Sequence, residues 1–533
     1  EGEKLQQMAT EQQLKDTKIN AQRGTIYDRN MKPLAQSATV WTVVLEPAYL
    51  KDPELIEKIA SGLAPILEMD KSEILEKAKK KSFYTVLKRK VESDVKDKII
   101  AFHKENKITT GIRLVEDYKR YYPYGDFAAC VIGFTGTDSQ GLSGLESYYD
   151  EYLTGQAGRL VTARNAVGTD MPFDYEKMIP AQNGNNLVLC IDEVIQHFLE
   201  KGLEEGIVNN KVMNRAGAIM MNVNTGEIIG MAVKGGYDLN KPFEIADAEK
   251  KAQIEALPES ERAKAKAEAL EAQWRNKLVS DTYMPGSVYK QITTAMAFEE
   301  NLIDEKTNFN CTGSFVPFPG ARPIRCHKHG GHGSQVFARA FCNSCNPAFI
   351  QVGQKIGPER FYKYYQAFGF TEKTGIDLPG EANGIFFSKD GRMGPMDLAV
   401  ASFGQNFSVT PLQMIIAAAA VANGGYIVQP HVVKQIVASD GNIIKNFDTV
   451  RKRQVISEET SSRVRALLTQ NAIDGGAKNG NVPGYRIGGK TGTSQKIGDS
   501  GPGGMDYISS FCGFAPGDNP QYILLIYYDT PKG

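Results

Sequence analysis

From about residue 187 onward the apolar positions fall into short runs bounded by turn residues, the pattern of buried strands. Leu187-Val-Leu-Cys-Ile191 reads as one strand, with a helix starting at Asp192. Ala218–Val223 and Glu227–Val233 flank Asn224-Thr-Gly226, a hairpin signal. Near the carboxy end Gly484–Thr493, Ser509–Phe514 and Gln521–Tyr528 supply three more strands, the last two joined at Pro516-Gly-Asp-Asn-Pro520. The sum is about five antiparallel strands, with helical patterns available for both faces. The first part of the chain reads differently. Residues 1–20 form a polar helical stub. Over 21–185 short apolar segments alternate with charged helical stretches such as Pro53-Glu-Leu-Ile-Glu-Lys-Ile-Ala60, a mixed α+β module without a catalytic constellation. Gln182-Asn-Gly-Asn-Asn186 is a turn-rich junction, so the second domain spans 186–533. Ala246–Glu271, rich in Ala, Glu and Lys, reads as an exposed helical insertion. No internal repeat is present.

Composition narrows the function classes. Lys plus Arg (62) equals Asp plus Glu (62), so no net field favours nucleic acid, and no nucleic-acid partner is expected. The chain is long enough for two to four domains and at least one sizeable core. No run of about 18 apolar residues exists, so nothing in it reads as a membrane span.

Candidate chemistry begins at Ser287-Val-Tyr-Lys290, follows at Ser344-Cys-Asn346, and ends at Lys490-Thr-Gly-Thr493. Ser and Lys three apart share one helix face, so the amine can reach the hydroxyl. Pro285-Gly286 supply a break before that helix. Serine is a poor nucleophile until a base takes its proton, and a desolvated lysine can be that base. Ser-x-x-Lys, Ser-x-Asn and Lys-Thr-Gly in this order are the parts of a serine site that attacks amides and β-lactams. Each is weak alone: Ser-x-Asn before Pro347 is also a common helix cap.

The chain resembles the class B penicillin-binding proteins, the peptidoglycan transpeptidases, over nearly all of its length. Arg23-Gly-Thr-Ile-Tyr-Asp-Arg-Asn30, Arg120-Tyr-Tyr-Pro123 and Gly141-Leu-Ser-Gly-Leu-Glu146 are similar to the family's amino-terminal motifs. Gly404–Gln413 and Asn423-Gly-Gly425 are similar to segments of its catalytic domain. Leu34–Val44 resembles the septal and sporulation branch, of the two more the sporulation type. The resemblance implies an α+β fold: an elongated pedestal, then a transpeptidase domain with a five-stranded antiparallel sheet flanked by helices.

The same resemblance implies roles. Ser287 attacks the penultimate D-alanine carbonyl of a peptidoglycan stem peptide, and Lys290 is its base. Ser344 relays a proton to the leaving amine, while Asn346 orients Lys290 and the substrate amide. Lys490 meets the terminal carboxylate, Thr491 and Thr493 donate hydroxyls, and Gly492 lets the strand approach the ligand. Backbone N–H groups of Ser287 and Thr493 form the oxyanion hole. No cofactor is expected for catalysis. Implied partners are stem peptides, β-lactams and a membrane glycosyltransferase of the wall-synthesis complex. Implied too are an extracytoplasmic location, an amino-terminal anchor helix before residue 1, and further structure past residue 533. Two rivals remain: a serine β-lactamase, which needs a carboxylate-activated water for which no Glu-x-x-Leu-Asn segment is evident, and a non-catalytic penicillin-binding sensor or scaffold.

One cluster stands outside that pattern. Cys311, Cys326, His327, His329, His332, Cys342 and Cys345 crowd into 35 residues. Four such ligands suit a structural tetrahedral zinc. Cys311, Cys326, His329 and Cys342 are the expected set, because Cys326-x-x-His329 is a good chelating pair and Cys342 points away from Ser344 on a helix. His327 and His332 are substitutes. Disulfides Cys311–Cys326 or Cys326–Cys345, or free thiols, are the alternatives.

Overall fold

The computed structural model describes residues 14–80, 82, 84–163, 177–386, 388, 392–496 and 506–532. Five antiparallel strands form the central sheet of the second half, in the order Ile228–Val233, Ala216–Asn222, Tyr522–Asp529, Tyr507–Ala515, Gly488–Gln495. Along Tyr522–Asp529 burial alternates residue by residue, as a pleated strand with two unequally covered faces requires. The helix Glu193–Asn209, capped by Asp192, covers one face through Leu203 and Ile207. The other face carries the main core, built around Lys290–Glu299, Pro411–Ala422 and Glu458–Asp474. Pro411–Ala422 is buried at all 12 positions and starts with a capping box in which Thr410 and Gln413 satisfy each other's backbone N–H groups. A helix apolar all round belongs inside, and this one lies there.

The amino-terminal half is built on Pro33–Leu45, which pairs with Ile112–Tyr121 through ten consecutive residues and with Thr85–Val91 on its other side. Helices Pro53–Leu67, Lys71–Ala78 and Ser93–Asn106 pack there around Ile59, Leu63, Leu67, Ile74 and Ile99. Of the polar stub expected to be helical, residues 1–13 lie outside the described residues. Leu14–Ile19 is a strand instead, because it finds a partner in Gly158–Ala163.

The strand expected at Leu187–Ile191 forms over Asn186–Leu189, but not in the catalytic sheet. It runs parallel to Ile26–Tyr27 and antiparallel to Val433–Val437. One sheet therefore draws on both halves of the chain. The buried Glu146 is a second tie: it accepts from Arg23 Nε at 2.7 Å and Arg120 Nε at 2.6 Å. The three amino-terminal motifs thus meet at one carboxylate. The insertion forms two helices, Ala248–Glu255 and Glu259–Trp274, anchored at Trp274 against Phe134 and Phe243.

Candidate active site

Ser287 lies on a single 3₁₀ turn, Gly286–Tyr289, that leads directly into the helix Lys290–Glu299. The turn is clamped from two sides. Gly286 has φ +53°, and a Cβ there would stand 2.7 Å from Thr493 O. Its N–H donates to Gly404 O at 2.9 Å, while Ser494 Oγ donates to Met284 O at 2.7 Å. Pro285-Gly286 therefore does more than start a helix: glycine is the residue that lets the Lys490 strand pass against the turn. Ser287 itself is partly exposed and can meet a ligand.

Lys290, one turn on, is fully buried. Its Nζ lies 2.7 Å from Ser344 O, 2.7 Å from Asn346 Oδ1 and 3.1 Å from Ser344 Oγ. The Phe349 ring lies 5.1 Å away. Burial, then the neighbouring Lys490 charge, hold this amine well below the ordinary lysine range. Two of these partners are carbonyl and amide oxygens, which can only accept, and the third is a hydroxyl, which can exchange a proton with the amine.

Ser344 follows the helix Phe337–Cys342 with φ +50°. Its N–H donates to Phe341 O at 2.9 Å and that of Cys345 to Ala340 O at 3.0 Å, the two bonds of a Schellman turn. Serine here occupies a position that glycine usually fills. The turn aims its hydroxyl between two lysines, 3.1 Å from Lys290 Nζ and 3.1 Å from Lys490 Nζ. Asn346 opens the next helix, Asn346–Ile356, with Pro347 behind it.

Lys490 is also fully buried; burial lowers its amine to about 8. It sits on the sheet's last strand, Gly488–Gln495. Gly492 has no room for a side chain: a Cβ would stand 2.8 Å from Val288 Cγ2 and 3.0 Å from Pro285 O. Thr491 is partly exposed, with Oγ1 3.5 Å from Gly476 O, and Thr493 is exposed. The structure thus gathers Lys290, Ser344, Asn346 and Lys490 into one hydrogen-bonded set beside Ser287.

The sequence offered no sign of Asn471. This buried residue of the helix Glu458–Asp474 donates to Gly489 O at 2.7 Å and accepts from Gly476 N at 3.0 Å. Gly476 N also donates to Cys342 O at 3.2 Å. Asn471 thereby ties the Lys490 strand to the segment carrying Ser344.

The Cys/His cluster forms with a different membership from the expected one. Cys311, Cys326, His332 and Cys345 present ligand atoms that all lie within 4.8 Å of one another. His329 is exposed on the turn, and Cys342 faces the side of Asp474 and Arg339. Cys345 takes the place expected of Cys342, because the left-handed Ser344 turns the chain after the helix and brings Cys345 into the cluster.

Comparisons agree with this architecture. A family model described as the penicillin binding protein transpeptidase domain matches residues 216–533, and one described as the penicillin-binding protein dimerisation domain matches 18–189. Stage V sporulation protein D of Bacillus subtilis (strain 168) is 35% identical, over 100% of this chain and 78% of its own length. Peptidoglycan D,D-transpeptidase FtsI of Escherichia coli (strain K12) is 27% identical, over 97% of this chain and 81% of its own. The crystal structure of Penicillin Binding Protein 2X from Streptococcus thermophilus shares the fold, with TM-score 0.76 at 22% identity, over 97% of this chain and 77% of that one.

Proposed function

The chain belongs to the class B penicillin-binding proteins, and from that premise we propose that it is a peptidoglycan D,D-transpeptidase working through an acyl-serine at Ser287. The observation that carries the reading is the buried Lys290, one turn from Ser287, whose Nζ is held by Ser344 O, Asn346 Oδ1 and Ser344 Oγ. Lys290 takes the proton of Ser287 as the oxygen attacks the carbonyl between the last two residues of a stem peptide. Backbone N–H groups of Ser287 and Thr493 receive the developing oxyanion; such a donor is worth ~10²–10³ in rate. Ser344 Oγ, bridging the two lysines, passes a proton to the departing D-alanine amine. Lys490 meets the terminal carboxylate, with Thr491 and Thr493 beside it. The amine of a second stem peptide then attacks the acyl-serine, forms the new amide and returns the hydrogen to Ser287. A β-lactam follows the first half only: its ring opens, the amine stays tethered, and the ester persists.

Support for a wall-building role comes from the names of the relatives, one a sporulation protein and one a peptidoglycan transpeptidase. The reading places the enzyme at the outer face of the cytoplasmic membrane, beside a glycosyltransferase that supplies glycan strands, and in spore wall synthesis. Among the described residues no helix is long and apolar enough to cross a membrane.

The test is acceptor dependence. A synthetic stem peptide ending in D-alanyl-D-alanine, given with an amine acceptor, should release D-alanine and yield the cross-linked amide. Rapid hydrolysis of β-lactams without amide formation would make the protein a β-lactamase. A stable β-lactam adduct with no stem-peptide turnover would make it a sensor or scaffold.

A further inference from the structure

Between the Ser287 turn and Asn346 the chain builds two nested hairpins. Asn308–Cys311 pairs with Gly333–Val336, and inside it Ser314–Phe315 pairs with Ile324–Arg325. Four side chains converge where these hairpins meet the helix Asn346–Ile356. Cys311 ends the outer strand, Cys326 follows the inner one, His332 precedes the returning outer strand, and Cys345 caps the helix. Three sulfurs are buried, Cys311 and Cys345 completely. Cys326 Sγ stands 3.5 Å from His332 Nδ1. Zinc bonds of ~2.3 Å to sulfur and ~2.0–2.1 Å to nitrogen make tetrahedral ligand–ligand edges of roughly 3.5–3.8 Å. The observed separations, none above 4.8 Å, reach those edges by shifts of about an ångström or less.

The backbone is drawn in around the same point. Cys326 N donates to Gly313 O at 2.9 Å. Gly313 has φ +99° and Gly331 φ +73°; Cβ atoms there would lie 2.3 Å from His329 O and 2.1 Å from Cys311 O. Two loops this close tolerate no side chain at their crossing. All the cysteines are free thiols. Three thiolates and an imidazole select a borderline-soft ion such as zinc over the hard, oxygen-seeking cations.

We propose that Cys311, Cys326, His332 and Cys345 bind a structural zinc ion that braces the Ser344–Asn346 segment against Lys290. Four protein ligands leave no open position, so the ion takes no part in the reaction. Binding ionises the three thiols, releasing three protons as the three Zn–S bonds form. Cys345 lies between Ser344 and Asn346, so fixing its sulfur fixes both polar groups. The bracing effect on acylation rests on the acyl-serine reading above; the zinc content does not.

The experiment measures zinc in the full chain purified without added metal, together with titratable thiols. One zinc per chain is expected. Cys311→Ser and His332→Ala should each lose most of it, while Cys342→Ser and His329→Ala keep it. Should the first two variants fail to fold, titrating the unmodified chain with a mercurial thiol reagent answers instead: zinc should leave in step with modification of three thiols. Cobalt reconstitution should give the intense visible bands of a tetrahedral site and a thiolate charge-transfer band. Zinc absent with all thiols reduced overturns the site, as does a disulfide between two of these cysteines, or full zinc in Cys311→Ser. Stripping the metal should slow β-lactam acylation several-fold. An unchanged rate with zinc gone overturns the brace, whereas a chain that holds zinc but never acylates faults the acyl-serine reading.

Discussion

Ser344 holds a left-handed backbone conformation that costs an L-residue ~1–2 kcal/mol, and its hydroxyl between Lys290 and Lys490 is what the strain secures. Two variants separate strain from chemistry. Ser344→Gly and Ser344→Ala both lose the hydroxyl, but only glycine relieves the backbone. Ser344→Gly should be the more stable by about 1–2 kcal/mol in thermal or urea unfolding. Both should slow acylation by about tenfold or more, through loss of the relay. Equal stabilities would contradict the strain, and wild-type acylation the relay. The lysine pair sets a pH profile. Lys290 acts when neutral, so burial and the neighbouring Lys490 charge move the acid limb of the profile well below the ordinary lysine range. Lys490 acts when charged, and that charge is lost as pH rises through about 8. Acylation by a carboxylate-bearing β-lactam should therefore rise and then fall around pH 8. A β-lactam without the carboxylate should lack the alkaline fall; the same fall for both ligands would refute the role of Lys490.

At the scale of elements, the site is a junction of ends: a 3₁₀ turn, a Schellman turn, a helix start and an edge strand. The motifs made most of this legible, because Ser287 and Lys290 communicate within one turn and Lys490 lies on a strand with clear turn signals. Two things were not legible. The left-handed Ser344 ends the helix after Cys342 and brings Cys345 to the cluster, where the expected set has Cys342. Asn471 lies 19 residues before Lys490 in an ordinary helix and carries no local signal. Its importance comes from Gly489 and Gly476, which sequence separation hides. Asn471→Ala takes the side-chain donor from the buried Gly489 O and leaves Gly476 N with Cys342 O alone, at about 1–3 kcal/mol for the buried group. It should lower the melting temperature and weaken acylation by carboxylate-bearing ligands through the Lys490 strand. Unchanged values for both would show that the clamp is dispensable.

The whole molecule is two cores sewn together. Apolar Leu187–Leu189 signals a strand but not its partner, since a strand buried on both faces fits several sheets. It joins Ile26–Tyr27 of the pedestal to Val433–Val437 of the catalytic half. Glu146 explains what Arg23, Arg120 and Glu146 do in three distant amino-terminal motifs: all three meet in one buried ion network. Glu146→Ala removes the carboxylate that Arg120 pairs with and leaves Arg23 to Asp150, and removing one partner of a buried pair costs about 3–5 kcal/mol. Urea unfolding should show a loss of that size; an unchanged midpoint would mean the network is idle. The central claim, a Ser287 acyl-enzyme, is tested most directly by the intact mass of the chain after incubation with a penicillin. The account predicts one adduct of the full penicillin mass per chain, persisting for minutes or longer, and none on a folded Ser287→Ala variant. An adduct that survives in that variant, or one that is shed within seconds, would contradict it.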